Sequence, residues 1–185
     1  FGYQQAYACK IYRNVYVSNI DLSGKSKLQA SFLLQKKFQS IANDEITLKT
    51  DSKEIKTKIA DTGLTLNVDK IIQDSYKVGR GSTFFDQLVD STKTMWGKKN
   101  IQVEPKIDQE KYNKFIEIAI AQLNYEPQNA EITIENGEIK EIAEKDGQVV
   151  DASNLTGEIL ALAESNPSKV ISLQTKKTSP KIKTA

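Results

Sequence analysis

Apolar residues recur at helical spacing in some stretches of the chain and alternate with polar ones in others, which predicts a mixture of helices and strands. Ser26 followed three residues later by Gln29 has the capping-box pattern, and Ala30, Leu33, Leu34, Phe38 and Ile41 share one face of a helix over Lys27–Ala42. Asn67 is placed to cap a short helix carrying Val68, Ile71 and Ile72, which Gly79-Arg80-Gly81 stops. Thr83 restarts a helix with Phe85, Leu88, Val89 and Trp96. Asp108 caps the cleanest amphipathic segment, with Tyr112, Phe115, Ile116, Ala119, Ile120 and Leu123 on one side. Leu155, Ile159, Leu162 and Ala163 form a last helical face, capped near Asp151 or Ser153.

Strands fall between these helices. The aromatic and β-branched density from Cys9 to Ile20 predicts an extended strand, and Asp21-Leu22-Ser23-Gly24 a turn after it. Ile46 and Leu48, then Ile55, Thr57 and Ile59, alternate with polar neighbours on either side of Asp51-Ser52-Lys53, the pattern of a hairpin with one wet face. Ile101 and Val103 predict a short strand ended by Pro105. Asn136-Gly137 supplies the positive-φ residues of a tight hairpin between Ala130–Glu135 and Glu138–Ala143, and Asp146-Gly147 a further turn. Val170, Ile171 and Leu173 form the last strand, and beyond Thr175 the pattern fades into a Lys-rich tail.

Helices and strands neither alternate strictly nor separate into blocks, and no fixed-period repeat occurs. The expectation is an α+β fold, a mainly antiparallel sheet with about five helices packed on it, with a doubly wound parallel sheet as the weaker alternative. A chain of 185 residues forms one good-sized domain or two small ones. Residues 1–176 are expected to be a single module, with any two subdomains meeting near 105, and 177–185 a linker toward a further domain. The first residue is Phe1 rather than Met, as expected for a segment of a longer protein.

Composition narrows the chemistry. Histidine is absent, which removes Ser-His-Asp and Cys-His catalysis and His-ligated metals. Carboxylates alone would have to do any acid–base work, and no pair of them is singled out. Cys9 is the only cysteine, so neither an intramolecular disulfide nor a multi-thiolate metal site can form, and Cys9 is expected to be a small packing residue. A lipid-anchor reading of Cys9 would need a long apolar run before it, and only Phe1 to Ala8 precede it here. Residues near Asp146 and Asp151 lack the ligand spacing of a calcium loop, so no metal and no cofactor is expected. A net charge of +2 is too balanced to call for nucleic acid.

Arg13 and Arg80 are the only arginines among 26 cations, so the bidentate guanidinium fork is scarce. Gly79-Arg80-Gly81 is too short for a phosphate loop. Two readings stay open for Arg80: an anion contact for a carboxylate, or a brace for its own loop. Asn19, Asp21 and Ser23 have groups that bind sugar hydroxyls, although the same residues favour turns. Tyr3, Tyr7, Tyr12 and Tyr16 offer either an aromatic strip for sugar rings or cover for a core, and Trp96 reads as core rim.

The run Val15-Tyr16-Val17-Ser18-Asn19-Ile20-Asp21-Leu22-Ser23-Gly24 leads into a capped helix containing Ala30. It is followed by Ala60-Asp61-Thr62-Gly63-Leu64-Thr65-Leu66-Asn67-Val68, by Tyr76-Lys77-Val78-Gly79-Arg80-Gly81, and by Asp108 opening a helix. Asn129-Ala130-Glu131, Asn136-Gly137, Gly147 and Asp151 come next. In this order the residues resemble the peptidoglycan-binding domain found ahead of VanW and L,D-transpeptidase (YkuD) domains, over roughly Val15 to Leu173. Lys25 and Gln29 depart from that pattern, and the transpeptidase Ser-His-Gly-Cys motif does not occur.

The resemblance implies a non-catalytic module outside the membrane, associated with the cell wall and anchored to the membrane through a segment beyond these residues. Its implied partners are the glycan or stem peptide of peptidoglycan and a downstream domain of the same chain. The implied ligand contacts are Arg80 with Gly79 and Gly81, and Asn19, Asp21 and Ser23. A purely structural pedestal with no ligand of its own is the alternative.

Overall fold

A computed structural model describes residues 5–80, 97–135, 137–163 and 169–184. In chain order the described elements begin with β1 (Val15–Val17), β2 (Ile20–Asp21), α1 (Lys27–Ala42), β3 (Glu45–Lys49), β4 (Glu54–Lys58), a 3-10 turn over Ile59–Thr62, β5 (Leu64–Leu66) and α2 (Val68–Lys77). They continue with β6 (Lys99–Ile101), β7 (Pro105–Ile107), α3 (Gln109–Leu123), β8 (Glu131–Glu135), β9 (Glu138–Ile142), β10 (Gly147–Asp151), α4 (Leu155–Ala161), β11 (Val170–Ser172) and β12 (Gln174–Thr178).

The fold is mixed α+β, with two corrections to the expected layout. Five small sheets of two or three strands replace one larger sheet among the described residues, most pairings being antiparallel and two, β1 with β6 and β11 with β3, parallel. Four α-helices are described rather than about five. The helix expected from Thr83, including Phe85, Leu88, Val89 and Trp96, lies outside the described residues, as do Tyr3, Gly81 and Asn136.

The chain divides into two compact units, each assembled from separate stretches. The first comprises Phe1–Asp44, Leu64–Lys106 and Leu160–Pro167. Its core is built from Ile11, Val15, Val17, Leu22, Ala30, Leu34, Ile71 and Ile72, so the inward face of α1 is the one its spacing predicted. The Ser26 hydroxyl accepts from the Gln29 N–H while the Gln29 side chain accepts from the Ser26 N–H, closing the capping box. Asn67 caps α2 by accepting from the Lys70 N–H.

The strand expected over Cys9–Ile20 is reduced to β1 and β2. Asn14 and Ser18 take left-handed backbone conformations, φ 60° and 43°, which break the extended run on both sides of β1. Ile11 is buried without being in a strand: its N–H donates to the Lys25 carbonyl and its carbonyl accepts from Gly24. Cys9 is exposed rather than packed, because residues 7–9 form a surface turn. Pro105 opens β7 instead of only ending the strand before it, a position where its missing N–H removes no ladder bond.

The second unit comprises Glu45–Gly63, Ile107–Ile159 and Ser168–Ala185. The expected hairpin of β3 and β4 forms, with Leu48 opposite Ile55 and with Ile46 and Leu48 fully buried. Asp108 caps α3 by accepting from the N–H groups of Glu110 and Lys111, and Tyr112, Phe115, Ala119 and Leu123 line its buried face. Residues 174–178 are not tail: β12 pairs along its whole length with β10, from Gly147 opposite Thr178 to Asp151 opposite Gln174. Beyond it, the N–H groups of Lys181 and Ile182 donate to the Asn129 side chain, and the Ile182 carbonyl accepts from Ala130.

The β8–β9 hairpin forms around Gly137 (φ 84°) as its turn chemistry predicted, with Ile134 opposite Ile139. Ile132, Ile134 and Ile139 share one face of it and are 69%, 74% and 72% exposed.

Candidate functional site

Arg80 sits just past α2. Gly79, at φ 72°, turns the chain there, and the Arg80 N–H donates to the Lys77 carbonyl. One guanidinium nitrogen donates to the Tyr76 carbonyl, and the other donates to the carbonyls of Tyr7 (2.8 Å) and Lys10 (2.6 Å). The guanidinium carbon lies 4.1 Å from the centroid of the Tyr12 ring and 3.9 Å from that of Tyr76. Three of the five N–H donors an arginine carries are thus engaged, with two aromatic rings beside the group, within the first unit. Of the two readings of Arg80, these contacts describe the brace. The Tyr76 hydroxyl adds to it by donating to the Ala8 carbonyl.

Tyr7 and Tyr12 belong to the same arrangement. Tyr12 is 4% exposed and meets the Tyr7 ring edge-on at 5.7 Å, so it packs under the guanidinium instead of offering a free face to a sugar. The Tyr16 ring has the Lys98 ammonium 5.5 Å from its centroid.

Asn19 lies in the β1–β2 turn, Asp21 in β2 and Ser23 in the turn after it, Asn19 and Asp21 exposed and Ser23 half-buried. The Asp21 carboxylate accepts from the Ser23 N–H at 2.8 Å, the local turn bond its residue type favours. Partial burial pushes the Asp21 carboxyl upward, but hydrogen bonds from the Ser23 side chain and N–H, with Lys25 and Lys98 nearby, outweigh it and hold it below the ordinary value of 3.8. Because the folded value is depressed, the stabilisation is present above pH 3.8 and is lost as pH falls through the folded value. An acid titration followed by NMR is expected to move the Ser23 amide resonance with a midpoint below 3.8. A midpoint at or above that value would show that the turn does not hold the carboxylate.

A third location was not picked out from the sequence. In the second unit, β11 leaves the sheet it shares with β3, and one residue later β12 joins β10. At this divergence lies a cleft of about 200 Å³. Leu155 and Ile171, each 2% exposed, and the half-buried Leu173 form its floor. Asp151, Ser153, Asn154, Glu158 and Gln174 bring polar groups to its rim. The Asp151 carboxylate accepts from the Ser153 N–H at 3.0 Å. That bond, the Ser153 side chain and Lys176 hold the Asp151 carboxyl below its ordinary range, the Ser153 side chain contributing most. Nothing in the local spacing of 151–158 announces a cleft, since its opposite wall arrives from 171–174.

A smaller hollow in the first unit, about 20 Å³, is lined by Asn67, Lys70, Asp74 and Glu104, and an ion pair between Lys70 and Glu104 spans it. No group of acidic or thiol side chains among the described residues is arranged to hold a metal ion. No helix among them is long and apolar enough to cross a membrane.

No curated protein and no solved structure gives a significant match to the chain. The family model described as "Putative peptidoglycan binding domain" matches residues 55–172. The matched stretch holds Gly79, Arg80, all of α3 and most of the cleft lining, whereas Asn19, Asp21 and Ser23 precede it. Since the match spans more than half of the chain, the protein belongs to this peptidoglycan-binding domain family.

Proposed function

We propose that the protein is a non-catalytic, extracytoplasmic module that binds peptidoglycan and places a downstream domain, of the VanW or transpeptidase kind, against the cell wall. The observation that carries this reading is the family match over residues 55–172. The absence of histidine supports the non-catalytic part, because the commonest general base near neutral pH is missing.

Asn19, Asp21 and Ser23 are proposed to hydrogen-bond glycan hydroxyls from their turn. Arg80, with Gly79 and Gly81, is proposed to serve the ligand by keeping residues 7–10 in place. A pedestal without a ligand of its own is the second reading, favoured by the engagement of the Arg80 guanidinium with carbonyls and rings of its own unit.

Co-sedimentation with purified sacculi separates the two. The binding reading expects the wild-type chain in the pellet at low salt, with an Asn19→Ala/Asp21→Ala double variant reduced several-fold and still folded by circular dichroism. A chain that stays in the supernatant at all salt concentrations would establish the pedestal.

A further inference from the structure

We propose that the cleft between the α4 segment and the β11–β12 junction is a binding site for the primary-amine side chain of a peptide, namely the free amino group of a diamino acid in a peptidoglycan stem. The inference rests on the peptidoglycan-binding reading above and assigns it a second, peptide-directed contact apart from the Asn19–Gly24 turn.

The shape and the chemistry of the cleft agree on this class of ligand. Its volume of about 200 Å³ is enough for one extended side chain. The apolar floor of Leu155, Ile171 and Leu173 suits a run of methylenes, which are stabilised by leaving water for such a surface. At the rim stand two carboxylates, Asp151 and Glu158, and no Lys or Arg lines the cleft. The cation acting on Asp151 is Lys176. An ammonium at the end of an alkyl stem satisfies both parts together. A carboxylate or phosphate would meet like charge, and a wholly apolar group would strip the rim of water without replacing its hydrogen bonds. Asn154, Ser153 and Gln174 supply amide and hydroxyl groups for the peptide backbone that carries the side chain.

The position of the cleft also fits. It opens where β11 and β12 part to join different sheets, so one end of each strand borders it and small changes of side chain there leave the ladders intact. Its rim residues Ser153, Asn154, Glu158 and Gln174 are exposed, so Glu158→Gln and Asn154→Ala remove recognition groups without touching the core.

The test is a titration of the labelled chain, followed by amide NMR shifts, with two synthetic peptides. One is a stem tetrapeptide ending its diamino acid in a free side-chain amine. The other is the same peptide acetylated on that amine. The free-amine peptide is expected to shift amides of 151–158 and 171–174, and acetylation or Glu158→Gln to weaken it about two- to fivefold, the effect of one exposed charge pair. Equal binding of the two peptides, or shifts confined to other residues, would overturn the assignment. If neither peptide binds while the chain still sediments with sacculi, the cleft is not a site and the peptidoglycan reading survives. If sacculi fail as well, both fall.

Discussion

Replacing Gly63 with alanine is expected to lower the thermal midpoint by about 5–15 °C. Gly63 closes the 3-10 turn Ile59–Thr62 in the left-handed conformation, φ 81°, which costs a residue with a Cβ about 1–2 kcal/mol. Space is the second difficulty. A Cβ there would lie 2.7 Å from the Asp108 carbonyl oxygen and 3.0 Å from the Tyr112 nitrogen, backbone atoms of the first turn of α3 that cannot swing aside. The Gly63 carbonyl also accepts from the Asp108 N–H at 2.8 Å, so moving the turn away breaks that bond. Strain and overpacking together come to about 2–5 kcal/mol. Gly24→Ala shares a positive φ, 70°, but meets open space, so it is the control that isolates strain. A Gly63→Ala midpoint within about 2 °C of wild type, read by circular dichroism, would show that α3 does not rest on this turn.

Gln148→Leu is expected to cost about 2–4 kcal/mol in urea unfolding, although it makes a buried position more apolar. Gln148 is 5% exposed in β10. Its side-chain oxygen accepts from the Ser52 hydroxyl at 2.8 Å, and its amide nitrogen donates to the Leu123 carbonyl at 3.1 Å and to Thr50 Oγ1 at 3.3 Å. One amide thereby ties the β3–β4 turn, the end of α3 and β10. Leucine would leave the Leu123 carbonyl without this donor in a site closed to water, where an unmade bond costs more than a made one gains. Gln148→Glu tests the geometry separately. Its carboxylate would still accept from Ser52 but would face the Leu123 carbonyl acceptor to acceptor, so the variant is expected to be weakest at neutral pH and to recover as pH falls and the group protonates. A Gln148→Leu variant as stable as wild type would show that the network contributes shape and no net energy.

The sequence reading succeeded where one strong local rule acted alone. α1, α2 and α3 begin at the residues whose side chains accept from their own first turns, and the β3–β4 and β8–β9 hairpins keep the register their alternation and turn residues specify. It failed where two local rules competed. Val15–Val17 has strong strand character, yet Asn14 and Ser18 on either side take left-handed conformations that cut it to three residues. The residues beyond Thr175 lack large apolar side chains and read as tail, but β10 supplies a partner for every residue of Gln174–Thr178. Pairing with a distant segment replaced the local signal that was missing.

Arg80 shows the same division within a candidate site. Its scarcity and its glycine neighbours marked it as a residue with a particular task, and both possible tasks could be stated from its chemistry. Only tertiary structure brings the carbonyls of Tyr7 and Lys10, about 70 positions earlier, and the ring of Tyr12 to its guanidinium.

The amino-acid sequence by itself determined the helix starts, the hairpin turns, the absence of histidine and multi-thiolate chemistry, and the order of motifs shared with the peptidoglycan-binding family, because each of these is a matter of residue type and of spacings of a few residues. The tertiary structure alone decided that the described elements gather into five small sheets in two units, that Gln148 is buried as a link among three segments, and that residues 151–158 meet 171–174 around a cleft. Such pairings join groups tens of residues apart, and the free energy that selects them comes from burial and hydrogen bonding across the fold, which leaves no periodic mark on either partner.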